Sequence, residues 1–148
     1  MFEAPCAPIR LTIKSNSKMR NENYKQRKQY ANWLSTEKWD YFFTGTFRFE
    51  DISANGARRA AQRFFRGFTT KELIVLFIES GKLYGKVHLH GLLRFRFDQR
   101  PTAQTIWKRW FDKYGRARVE TIESREAVSN YCCKYVTKQM KDETFIVI

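Results

Sequence analysis

The sequence predicts an α+β domain, with a central, mainly antiparallel five-stranded sheet flanked by helices. Three observations lead there. Apolar residues recur with a period of two in some segments and near 3.6 in others. The two kinds of segment follow one another as strand, helix, strand, strand, helix, strand, helix, strand. The one direct strand-to-strand link, SGKLYGK, is short and punctuated by glycine, which favours an antiparallel hairpin.

Residues 1 to 38 are polar and basic around KSNSKMRNENYKQRKQYANWL and show no clear core periodicity, so they read as an arm or lead-in segment with a short helix near its end. YFFTGTFRF is the first strand. It sets Tyr41, Phe43, Gly45 and Phe47 on one face, and Phe42, Thr44 and Thr46 on the other. SANGARRAAQRFFRGFTT is helical, with Ala60, Phe64, Phe65 and Phe68 forming its apolar side and arginines its outside. ELIVLFIES and KVHLHGLLRFRF are the two hairpin strands. After Pro101, TAQTIWKRWFDKYG reads as a helix from a Thr102 N-cap to a stop at Gly115. RARVETI is a strand, SREAVSNYCCKYVTKQM a helix capped by Ser124, and TFIVI a last strand.

The chain has 148 residues, of which 43% are hydrophobic and 16% aromatic, enough for a real core in a single domain. A net charge of +13 points to a phosphate-rich or otherwise anionic partner. No apolar run approaches a membrane span, and the N-terminal residues lack a secretory pattern. The expected location is therefore a host cytoplasm, or a nucleus if the host is eukaryotic. Cys6, Cys132 and Cys133 have no CxxC spacing and read as reduced thiols.

Both histidines of the chain, His88 and His90, lie one residue apart in a predicted strand and so share a face. Two same-face imidazoles can converge on one ion, although so short a pattern also arises by accident. The neighbouring strand is apolar until Glu79. If the hairpin sets Glu79 opposite His88, all three side chains fall on one face. Two imidazoles and one carboxylate leave positions on a metal open for substrate oxygens. Such ligands permit zinc, and with room for phosphate oxygens they suit Mg2+ or Mn2+ equally.

NYCCKYVTKQ holds two overlapping Tyr-x-x-Lys units, Tyr131 with Lys134 and Tyr135 with Lys138. At about 100° per residue, Tyr131 falls between the two lysines, Val128, Cys132 and Val136 form the other side, and Tyr135 sits at the border. A phenol with a pKa near 10 is a poor nucleophile at neutral pH. Neighbouring ammonium groups favour its phenolate, and a metal on a phosphate favours attack there.

FFTGTF, HLH within KVHLHGLLRF, and YCCKYVTK, taken in that order, resemble the HUH endonucleases, especially the rolling-circle replication initiators (Rep proteins) of small phages, plasmids and single-stranded DNA viruses. The resemblance spans about residues 39 to 140. It implies an endonuclease domain over residues 39–148, with an RRM-like or ferredoxin-like sheet. It also implies a divalent metal, Mg2+ or Mn2+, on His88, His90 and Glu79. Tyr131 would be the principal nucleophile and Tyr135 a second one, with Lys134 and Lys138 positioning substrate or balancing charge. The activity implied is nicking and joining of single-stranded DNA at a replication origin, free or in a hairpin, through a 5′-phosphotyrosine. No Walker sequence is present, so a helicase would come from the host or from further chain, and the polymerase from the host.

Arg58, Arg59, Arg63 and Arg66 on the first core helix, and Lys108, Arg109 and Lys113 on the second, are expected to meet DNA phosphates. Residue by residue, a solvated helix face explains them as well. Thr44 and Thr46 are placed to line the site, or serve only as β-formers. Two other functional readings stay open: a transposase or relaxase of the same superfamily, and a non-catalytic RRM-like module that stacks bases on aromatics.

Overall fold

The computed structural model describes the backbone of residues 16–49, 51–80, 86–139 and 145–148, and the side chains of residues 24–49, 51–80, 86–132 and 146–148. The elements are α1 (Asn16–Thr36), β1 (Tyr41–Thr46), α2 (Ala54–Arg66), β2 (Lys71–Ser80), β3 (Val87–Phe95), a short 3-10 turn (Phe97–Gln99), α3 (Ala103–Lys113), β4 (Ala117–Thr121), α4 (Arg125–Gln139) and β5 (Phe145–Val147). The five strands form one sheet in the order β4-β1-β3-β2-β5, and every pairing is antiparallel. Four helices pack on this open sheet.

Within it, β1-α2-β2-β3-α3-β4 is a β-α-β-β-α-β unit with the inner order 4-1-3-2. The expected α+β class and ferredoxin-like order are both present. Thr102 and Ser124 start their helices as expected, and Ser53 does the same for α2. Ser53 Oγ accepts from Gly56 N at 2.9 Å, Thr102 Oγ1 from Thr105 N at 3.1 Å, and Ser124 Oγ from Ala127 N at 3.2 Å.

The strict alternation of strand side chains divides the core into two layers. One face carries Phe43, Ile74, Leu76, Leu89 and Leu93, which pack on Ala57, Ala61 and Phe65 of α2 and on Ile106 and Trp110 of α3. Trp110 is fully buried, lies edge-on to Phe43 at 5.1 Å, and donates Nε1–H to the Thr46 carbonyl at 3.0 Å. The other face carries Val75, Phe77 and Leu92 against Ala31 and Leu34 of α1, Trp39, and Val128 and Cys132 of α4.

Two elements differ from the sequence reading. The short helix expected near residue 38 is the 21-residue α1, whose C-terminal part inserts Ala31 and Leu34 beneath the sheet. Among its described side chains, residues 24–36, Ala31 and Leu34 are the buried ones, too few for a periodic signal. The first strand stops at Thr46 rather than Phe49, because its β3 ladder ends at the pair Thr46–His88. Beyond that pair Arg48 N is donated to the Tyr114 carbonyl at 2.8 Å, so the chain turns toward α3.

Gly91, which follows His90, lets β2 and β3 approach closely. A Cβ there would sit 2.3 Å from Leu76 Cδ2 and 2.9 Å from the Val75 carbonyl oxygen. Leu76 is fully buried, so neither atom has room to retreat. Gly91→Ala should therefore destabilise the fold by about 1–3 kcal/mol, seen as a lower urea midpoint with an unchanged slope.

Tyr41 supplies a pH signature. Burial raises its phenol above the ordinary value; Asp40 raises it further, and Arg100 opposes both. The unfolded chain therefore loses this proton first as pH rises past about 10. The resulting stabilisation is complete below that pH and is lost as pH climbs through the folded value. Thermal melts of Tyr41→Phe should show a shallower alkaline decline than the parent.

Candidate metal centre

The β2–β3 hairpin has the register that the sequence left conditional. Glu79 stands opposite His88, and Phe77 opposite His90. Because opposed residues share a face, Glu79, His88 and His90 all lie on the α1/α4 side of the sheet. One potential ligand atom from each residue falls within 4.8 Å of the others. His90 Nε2 is 2.7 Å from Glu79 Oε2.

From the opposite flank β1 sets Thr44 against His90 and Thr46 against His88. Thr44 Oγ1 is 3.4 Å from His90 Nδ1, on the ring edge turned away from Glu79. A central strand thus fixes His90 between a carboxylate and a hydroxyl, the surroundings by which proteins orient imidazole ligands. His90 is only 6% exposed and is the buried polar side chain among the described residues, whereas His88 and Glu79 are half-buried. The group is therefore anchored on its inner side and open on its outer one.

These residues fit a divalent ion. Two ligand atoms on one ion, each about 2.0–2.2 Å from it, lie at most about 4.4 Å apart, so a small rotation of the half-buried side chains closes the set. The mixed imidazole–carboxylate donors accept zinc, manganese or magnesium.

Tyr131 reaches the same face. Its ring lies 4.8 Å from that of Phe42 and 6.5 Å from that of Phe77. Phe42 precedes Thr44 by two residues, Phe77 precedes Glu79 by two, and Phe77 stands opposite His90. Tyr131 consequently sits where the apolar half of the face meets its histidine half. Its ring is half-buried and packs on the sheet, and its hydroxyl oxygen is shielded from solvent. It follows Val128 by three residues, close enough on the helix for a large ring to share that side's packing. Val128 and Cys132 are buried there as expected. Lys134, Tyr135 and Lys138 lie on α4 by backbone, but their side chains are outside the described residues, as are Val136, Cys133 and Cys6.

The basic helix residues lie elsewhere. Arg58, Arg59, Arg63 and Arg66 belong to α2, and Lys108, Arg109 and Lys113 to α3, the two helices packed on the face opposite the histidines. Lys108 pairs with Asp112 at 2.8 Å, Arg109 lies 4.9 Å over the Phe68 ring, and Lys113 lies 5.5 Å over the Tyr114 ring. Sequence reasoning did not single out Arg48, Lys86 or Arg116, which border a cleft of about 630 Å3 that reaches His88 and Thr46. The available signal was Lys86 lying two residues before His88.

No protein-family model matches the sequence, and no curated protein or solved structure matches it. The geometry itself is the finding: an antiparallel sheet carrying a His-x-His pair beside Glu79, able to hold a metal ion.

Titration calorimetry with Mn2+ and with Zn2+ should show one site on the wild type. His88→Ala and His90→Ala should each weaken it by at least about a hundredfold, since loss of an outer partner alone costs about 10- to 100-fold. Thr44→Val should weaken it about tenfold. Acidification should weaken it too, because protons compete for the imidazole nitrogens.

Proposed function

We propose that this chain is a metal-dependent endonuclease that nicks and rejoins single-stranded DNA through a 5′-phosphotyrosine, in the manner of the HUH replication initiators that its motifs resemble. One observation carries the reading. The Glu79–His88–His90 group and the ring of Tyr131 share one face of the sheet, with Phe42 and Phe77 linking them.

When bound, a divalent ion would polarise a phosphate oxygen and offset charge developing on it. His88, His90 and Glu79 would hold that ion, and Thr44 steadies His90. The phenol oxygen of Tyr131 attacks phosphorus and gives up its proton. The bond from phosphorus to the 3′ oxygen breaks, and that oxygen leaves as a hydroxyl after gaining a proton. The 5′ phosphate is then esterified to tyrosine, and the reverse attack by a 3′ hydroxyl rejoins the strand. Tyr135 serves as a second nucleophile one helical turn on, and Lys134 and Lys138 stabilise phenolate or phosphate charge. The shielded Tyr131 hydroxyl requires α4 to shift when DNA enters.

At an origin, the freed 3′ hydroxyl would prime a host polymerase, with a helicase opening the duplex ahead. A transposase or relaxase would use the same step on another DNA. A non-catalytic strand-binding module would account for the charge and aromatics, but would leave the convergence of Glu79, His88 and His90 without a role.

Incubation with labelled single-stranded origin DNA and Mn2+ should give a covalent protein–DNA adduct on a denaturing gel. His88→Ala and His90→Ala should abolish it, and Tyr131→Phe should reduce it by at least about a thousandfold. Absence of adduct with every origin tested would sink the enzyme reading. Full activity in Tyr131→Phe, with loss in Tyr135→Phe, would transfer the nucleophile to Tyr135.

A further inference from the structure

Where β1, β3 and the α3–β4 connection meet, the molecule has a cleft of about 630 Å3, within the size range of ligand sites. His88 forms part of its wall, so the cleft and the metal centre share a residue. Three cations, Arg48, Lys86 and Arg116, also line it, and all three are exposed. Among the described residues no carboxylate lines it. Phe49 and Phe111 supply aromatic surface and are 60% and 41% exposed. Trp107 extends that surface, stacked on Phe111 with ring centroids 5.2 Å apart and planes 17° from parallel.

Exposed aromatics gathered in one place need a reason, since a folded chain gains by covering them. The Arg48 guanidinium lies 5.8 Å from the Phe111 ring centre and donates to the Phe111 carbonyl, so it is positioned rather than loose. A guanidinium has five N–H donors, leaving capacity for a phosphate oxygen. Flat apolar rings beside cations complement unpaired nucleobases on a phosphate chain.

We infer that this cleft binds the single-stranded DNA segment next to the scissile phosphate, with bases stacking on Phe49 and Phe111 and phosphates pairing with Arg48, Lys86 and Arg116. The inference rests on the proposed nicking activity for its choice of DNA, but not for the binding itself. It also assigns the DNA path to Arg48, Lys86 and Arg116 rather than to the α2 and α3 cations, none of which lines the cleft, although α3 contributes Phe111 to it.

The test is anisotropy of a fluorescein-labelled thymidine oligonucleotide in EDTA, where binding is read without cleavage. Phe49→Ala, Lys86→Gln and Arg116→Gln should each weaken binding by about five- to tenfold with unchanged melting temperature. Arg96→Gln, at the other end of β3, removes the same charge and should change binding less than about twofold. Cross-linking with a halogenated thymidine oligonucleotide should label peptides carrying Phe49 or Phe111. Equal losses in Arg96→Gln and the cleft variants would overturn the inference, as would labels confined to other segments. An RNA oligonucleotide bound as tightly as DNA would overturn the choice of DNA. Weakened binding in the cleft variants, with no adduct from any DNA, would uphold the cleft and reject the nicking reading. Adduct formation with unchanged KM in those variants would uphold nicking and reject the cleft.

Discussion

The register of the β2–β3 hairpin is the constraint on which the candidate site depends. Side chains on a strand alternate with a period of two, so a slip of one residue would send Glu79 to the opposite face from the imidazoles. The register is held by burial on both faces at once. Ile74, Leu76 and Leu89 are locked under α2 and α3, while Val75, Phe77 and Leu92 are locked under α1 and α4. Either displacement would put Glu79 or a histidine into an apolar layer without a partner, which is costly. The site is thus specified by the core rather than by its own contacts.

The same alternation divides the α1/α4 face lengthwise. Toward one end Phe42, Leu92, Val75 and Phe77 are covered by helices; toward the other Thr44, Thr46, His88, His90 and Glu79 form a polar field. Arg94 ties the covered end together, meeting Glu37 at 2.6 Å and Glu72 at 3.2 Å. Tyr131 lies at the boundary, where an aromatic ring can rest on apolar neighbours while its polar tip approaches polar ones. A side chain placed there is positioned by packing, a more rigid device than a surface hydrogen bond.

Much of this was legible because it is periodic. The strands, their antiparallel order, the caps at Thr102 and Ser124, and the shared face of His88 and His90 all follow from spacing. Glu79 was legible as a carboxylate ending an apolar run, and its place opposite His88 needed only a hairpin register. The length of α1 was not, since its described side chains bury only Ala31 and Leu34 and tertiary packing, not local pattern, stabilises such a helix. Nor was the sidedness of α2 and α3: a sequence gives each helix an apolar stripe but not the face of the sheet that receives it. The cleft was least legible, for Arg48, Lys86, Phe111 and Arg116 come from segments that only the fold brings together.

The pairing of His90 with Glu79 also explains how the site stays organised before it binds anything. A half-buried carboxylate needs a donor, and a buried imidazole needs both ring nitrogens engaged. Each meets part of the other's requirement at 2.7 Å, while Thr44 flanks the far nitrogen. An ion held by Glu79, His88 and His90 would meet a frame already in place, because β3 is clasped by β1 and β2 along its length. Under the proposed reading, a central strand would supply ligands and a helix the attacking group. The sheet fixes where the imidazoles and the carboxylate stand, and α4, in contact with both the sheet and α1, fixes where the Tyr131 ring stands.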